Sequence, residues 1–161
     1  MTRDWPAMSI AEATRLLTAP GAPFEMEVVE IRGRPTRCWK NAPPTLQHCF
    51  VLGRAHGGRT FLVHEGERVT FEGFARATIR LAEHFRGLGV GRGDRVAIAM
   101  RNLPEWPVAF YAGQLVGAIV TPLNAWWTGA ELEYGLADSG AKLLVADAER
   151  WERVEPHRGA L

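Results

Sequence analysis

Gly87, Gly89, Gly91 and Gly93 alternate through RGLGVGRGDRV, the kind of glycine-rich run in which a phosphate-cradling backbone would be sought. A dinucleotide loop needs G-x-G-x-x-G after a strand and before a helix, so that backbone N–H groups and the helix N-terminus meet the pyrophosphate. Here Arg92 and Asp94 fall where the third glycine should be. The order of elements is also reversed, with a helix before and a strand after. The run is read as a helix C-cap and turn.

Other residue types that do chemistry are equally dispersed. His48, His56, His64, His84 and His157 show no H-x-x-x-H or Cys/His spacing suited to a metal. His84 falls near the boundary of an apolar helical stripe and reads as a surface or packing residue. No G-x-S-x-G elbow is present, and neither cysteine has the setting of a nucleophile. Glu131 is explained by a helix cap. Trp106, Trp126 and Trp127 have rings able to stack on a ligand, although packing is the commoner use of tryptophan. No catalytic residue and no metal ligand is assigned.

The elements that position these residues follow from periodicity and punctuation. Ser9-Ile-Ala-Glu12 and Thr128-Gly-Ala-Glu131 are capping boxes, each opening a helix. Phe24 to Ile31 and Thr36 to Trp39 suit short strands around Gly33-Arg34-Pro35. Asn41 to Pro44 is a break, and Thr45 caps a helix through Arg54. A hairpin runs from Phe61 to His64 and from Arg68 to Phe71, turning at Glu65-Gly66. Phe71, Phe74, Ala75, Thr78, Leu81, Ala82, Phe85 and Leu88 then repeat at i, i+3, i+4 and i+7, one face of a helix. Val96 to Met100, Ile119 to Thr121 and Leu143 to Ala146 are apolar runs of doubly covered strands. Between them lie a helix starting at Pro104, with Val108, Ala112, Leu115 and Val116 inward, and the helix capped by Thr128. Strand, helix, strand, helix, strand implies an α/β fold with parallel strands and right-handed crossovers, preceded by a β-hairpin and short N-terminal helix and strand elements.

In open parallel sheets, ligands sit beyond the carboxyl ends of the strands. Those ends are Arg101-Asn102, Leu123-Asn124 with Trp126-Trp127, and Asp147. They are expected to line one edge.

Composition bounds the function. With 161 residues, 47% apolar and 23% charged, the chain reads as globular. A net charge of +1 gives no electrostatic reason to expect nucleic acid or an anionic membrane as partner. Cys38 and Cys49 form no C-x-x-C pair and read as thiols in a reducing compartment. The start lacks a basic stretch followed by an apolar run, and Val108 to Val120 is too short to span a bilayer. A cytoplasmic protein is expected.

The wording from Thr70 to Asp147 resembles the amino-terminal part of the AMP-forming acyl-CoA synthetases, the adenylate-forming enzymes. The resemblance rests on Thr70-Phe71 after a hairpin, Gly89-Val90 with Gly93-Asp94-Arg95-Val96, and Asn102 with Pro104-Glu105. Pro122-Leu123-Asn124, Glu131-Leu132 and Asp138-Ser139-Gly140-Ala141 complete it, and their joint order is what makes it specific. Gly73 departs from it, where the family commonly has an acidic residue completing a cap with the threonine. The resemblance implies activation of a carboxylic acid, fatty or aryl, with ATP and Mg2+, then transfer to coenzyme A. It implies that Leu123, Asn124 and Trp126 lie on the coenzyme A side. It also implies that residues 1–161 are the N-terminal portion of a larger adenylate-forming domain, with residues 1–69 as N-terminal helix and hairpins and 70–147 as a βαβ-type core. The family's Ser/Thr/Gly-rich phosphate loop ending in Pro-Lys has no counterpart among these residues. The chain alone is therefore expected to be inactive and to self-associate through uncovered surface. The competing readings are a stand-alone, non-catalytic interaction or regulatory module and, more weakly, an independent nucleotide-binding domain.

Overall fold

A computed structural model describes residues 7–160. The amino-terminal Met1–Pro6, read above as part of a start without a signal peptide, lies outside them. The chain forms two compact units, Met1–Pro44 and Thr45–Leu161, divided at the Asn41–Pro44 break.

The first unit holds helix α1 (Ile10–Leu17) and the antiparallel strands β1 (Met26–Ile31) and β2 (Arg34–Trp39). Ser9 caps α1 by accepting the Glu12 N–H at 3.2 Å; the return bond from Glu12 is not formed, so only half of the expected box exists. The hairpin turn is Arg32-Gly33, not Gly33-Arg34-Pro35. Both Arg32 and Gly33 take positive φ, 52° and 77°, the geometry of a two-residue turn whose twist matches the strands it joins. Arg34 and Pro35 are thereby drawn into β2, opposite Ile31 and Glu30.

The second unit begins with α2 (Leu46–Arg54), capped by Thr45, and the hairpin β3 (Thr60–His64) and β4 (Glu67–Thr70). The hairpin turns at Glu65-Gly66 as expected, again with both φ positive. Phe71 belongs not to β4 but to the next helix, because the Thr70 hydroxyl accepts the Gly73 N–H at 3.0 Å and starts α3 (Phe71–Gly87) there. Phe74, Ala75, Thr78, Ala82 and Phe85 are buried on α3, as its periodicity requires. Leu88 is not part of that stripe: it is the C-cap, beyond the last helical turn, and is 51% exposed.

There follow β5 (Arg95–Ala99), α4 (Glu105–Leu115), β6 (Ile119–Pro122), α5 (Gly129–Ser139), β7 (Leu143–Ala146), α6 (Ala148–Val154) and a short 3-10 turn, Glu155–Ala160. The three strands are parallel in the order β6-β5-β7. Side chains alternate across β5: Val96 and Ile98 pack with α3 and α4, and Ala97 and Ala99 pack with α5 and α6. All four are completely buried. The outer strands are less covered, and Ile119 is 56% exposed, since among the described residues only the central strand has neighbours on both edges. On α4 the fully buried positions are Ala109, Ala112 and Gly113, while Val108, Leu115 and Val116 are half-buried. Small residues at the contact let the helix lie close to the sheet. Among the described residues no helix is long and apolar enough to cross a membrane.

Candidate functional site

The chain leaves β5 through α4 on one face. After β6 it passes over β5 to β7, leaving α5 on the other face. The connections following β5 and β7 thus depart to opposite sides of adjacent strands. The carboxyl ends of such a pair are where open α/β sheets bind ligands.

Arg101 and Asp147, just past β5 and β7, meet at that edge: the Arg101 N–H donates to Asp147 Oδ2 at 2.9 Å. Asp147 is also the N-cap of α6, accepting the Arg150 N–H at 2.9 Å. The Arg101 guanidinium lies 3.8 Å from the ring centroid of Trp126, a cation–π contact on an indole that is 70% exposed. Three of the strand-end residues picked out above, Arg101, Trp126 and Asp147, are therefore brought together. Asn124 holds the loop, its Oδ1 accepting the Trp126 N–H at 3.0 Å. Leu123 turns inward and packs with Leu132 and Leu136, as does Trp127. Trp106 stacks on Phe110 at 5.4 Å and packs against Ile98 and Met100. Asn102 is exposed.

Beneath this edge lies a residue that sequence reasoning passed over. Arg150 is 1% exposed. Its Nε donates to the Ala125 carbonyl at 2.7 Å, and its Nη1 to both Asp147 oxygens at 3.2 and 3.1 Å and to Glu149 at 3.0 Å. Its Nη2 is buried with no hydrogen-bond partner among the described residues. One guanidinium thus ties the β6–α5 loop to the end of β7. Burial pushes the Asp147 carboxyl up, but the N–H groups of Arg101 and Arg150 and the Arg150 guanidinium outweigh it and hold the group below its ordinary range.

The glycine run lies at the other end of the sheet and is structural. Gly89 and Gly93 take positive φ. The Lys142 ammonium donates to the Gly89 carbonyl at 2.6 Å and to Asp94 at 2.8 Å, and the Gly91 N–H donates to Asp94 at 2.9 Å. Arg95 donates to the carbonyls of Ser139 and Gly140, closing the C-terminus of α5. Glu131 completes the Thr128 capping box from both sides. Among the described residues no three His, Cys, Asp or Glu side chains are grouped to hold a metal ion.

A family model described as "AMP-binding enzyme" matches residues 51–161, more than half of the chain. The chain belongs to that family. It is 31% identical over 131 residues to 4-coumarate–CoA ligase 3 of Oryza sativa subsp. japonica, covering 80% of this chain and 24% of that protein. It is 40% identical over 84 residues to a long-chain-fatty-acid–CoA ligase of Escherichia coli O157:H7, covering 52% of this chain and 15% of the relative. Among solved structures, one described as a long-chain-fatty-acid CoA ligase from Rhodopseudomonas palustris superposes with TM-score 0.67 at 30% identity, covering 73% of this chain and 30% of that one. An anthranilate CoA ligase in complex with anthranoyl-AMP gives TM-score 0.67 at 25% identity, over 70% of this chain and 22% of that one. The chain spans about a quarter or less of the length of these curated relatives and corresponds to the amino-terminal part of their fold.

Proposed function

We propose that this chain is the amino-terminal portion of an AMP-forming acid–CoA ligase that activates a carboxylic acid, fatty or aryl, with Mg-ATP and passes the acyl group to coenzyme A. The observation that carries the reading is the family match over residues 51–161. Residues 1–69 serve as N-terminal helix and hairpins and residues 70–147 as the βαβ-type core of the large domain. The free thiols Cys38 and Cys49 support the cytoplasm as its compartment.

Coenzyme A is placed at the Leu123–Trp126 loop. The exposed Trp126 ring offers a stacking face and Arg101 beside it a cation for phosphate, while Asn124 and the inward Leu123 fix the loop. These 161 residues do not adenylate by themselves. Charge developing on a transferring adenylyl group must be met by preorganised donors and a metal, and the sequence holds no phosphate loop to supply them. Acid-dependent pyrophosphate exchange by the purified chain should stay at the no-enzyme level, and clear turnover would sink this. In a second arm, coenzyme A should quench tryptophan fluorescence of the chain and lose that effect in Trp126→Ala; equal quenching in both would remove coenzyme A from this loop.

Self-association is the expected behaviour of the isolated chain. Among the described residues strands β6 and β7 are each paired on one edge only, and Val51, Leu52, Ile119 and Tyr134 are all more than half exposed. Light scattering over a concentration series should show mass rising with concentration, together with hydrophobic-dye binding. A monomer silent to dye would contradict it and favour the second reading, a stand-alone interaction or regulatory module.

A further inference from the structure

Away from the sheet edge, α2, β3, α3 and α4 line a partly open cavity of about 220 Å3. Its walls are Phe50, Phe61, Phe71, Phe74 and Tyr111, with the Cys49 thiol, Gly53 and Arg54 completing the lining. The rings are interlocked: Phe61 stacks on Phe74 at 4.4 Å, Phe74 meets Tyr111 edge-on at 5.8 Å, and Phe61 tilts against Phe71 at 4.9 Å. Phe50 and Phe74 are buried and anchor the site in the core. The lining therefore holds its shape without an occupant, which lowers the ordering cost of binding.

We infer that this cavity is a binding site for a small, neutral, single-ring aromatic molecule such as a simple phenol. Size fits: an apolar cavity of about 150 Å3 accommodates benzene, and the present one leaves room for a ring with one or two small substituents. Chemistry fits as well, since ring edges and faces on several sides suit edge-to-face and offset stacking of a guest ring. Tyr111 and Cys49 bring a hydroxyl and a thiol to the lining, suited to a guest hydroxyl; Arg54, its one charged residue, is exposed and stays hydrated, so a guest carboxylate seated among the five aromatic rings would lose hydration without a buried cation to replace it. Burial raises the Tyr111 pKa, so this hydroxyl stays protonated as a donor at neutral pH. The site is separate from the Arg101–Trp126 edge and does not depend on the proposed ligase activity.

Cys49 reports on occupancy, and Cys38, in the other compact unit, is an internal control. The full chain is alkylated with iodoacetamide across a series of p-cresol concentrations, and each site's rate is read by mass spectrometry. At p-cresol about four times its dissociation constant, the Cys49 rate should fall roughly fivefold by mass action while Cys38 is unaffected. Benzoate should protect less. Gly53→Leu adds bulk beside Phe71, which lies 3.7 Å from the position of an added Cβ, and should abolish protection. Line broadening of 4-fluorophenol in fluorine NMR with the unaltered chain gives a reading that needs no variant. An unchanged Cys49 rate with sharp fluorophenol lines, equal slowing of both cysteines, or better protection by benzoate would each overturn the assignment.

Discussion

Replacing Arg150 with alanine should lower unfolding stability by about 3 kcal/mol, because removing one partner of a buried ion pair leaves the other charged and unmatched. The side chain of Arg150 is 2% exposed and that of Asp147 12%, so little water is available to solvate what remains. The Ala125 carbonyl would also lose its 2.7 Å donor. Asp147 would keep the N–H groups of Arg101 and residue 150, which places the loss at the lower end for a broken buried pair. Arg150→Met, which restores apolar volume without charge, should recover only a minor part. Urea denaturation of the three proteins measures this, and a loss under about 1 kcal/mol for the alanine variant would show that the guanidinium is not a structural tie.

Acid carries the same signature. The folded-state pKa of Asp147 is depressed below the unfolded value of about 3.9. Its contribution is therefore fully present above that value and is lost as pH falls through the folded pKa. Arg150→Ala should weaken this part of the acid dependence.

The second large effect is steric. Gly113 lies in α4 against β6, and a Cβ placed there would sit 2.5 Å from Val120 Cγ2. Helix propensity alone favours alanine by about 1 kcal/mol. Val120 is β-branched and stiff about χ1, so it cannot swing aside and the helix must lift from the strand. Overpacking of this kind costs about 1–3 kcal/mol, and after the propensity gain the net result for Gly113→Ala should be a destabilisation of up to about 2 kcal/mol. Val120→Ala should relieve the clash. A double-mutant cycle should then show a favourable coupling of at least about 1 kcal/mol, and strict additivity would mean that the contact has no energetic weight.

Legibility in the sequence followed the range of the forces involved. Capping residues act within one turn, so Thr45 and Thr128 marked helix starts that the structure retains. The second strand of the first hairpin starts two residues earlier than expected because Arg32, not a second glycine, takes a left-handed conformation, which glycine content does not announce. Parallel pairing followed from the alternation of strands and helices, but the central place of β5 did not, since crossovers of one hand are compatible with either strand order. The ends of the strands named the edge where Arg101, Trp126 and Asp147 meet. Their partnership was invisible, because it joins three separate loops. Arg150 was hidden more deeply: in AERWERV it looks like one charge among several on a solvated helix, and only the arrival of the Ala125 carbonyl and Asp147 explains its burial.

The middle position of β5 also orders events at the ribosome. One flank of this strand, apolar from Val96 to Ala99, is closed by β6, which is synthesised soon after it, but the other waits for β7. At roughly 5–20 residues per second, the chain from Ala99 to Ala146 takes on the order of 2–10 seconds to emerge. Throughout that interval a row of N–H and C=O groups beside Val96–Ala99 is open to any passing strand or chaperone. The segment best protected from water in the finished protein is thus among those that wait longest for protection while it is being made.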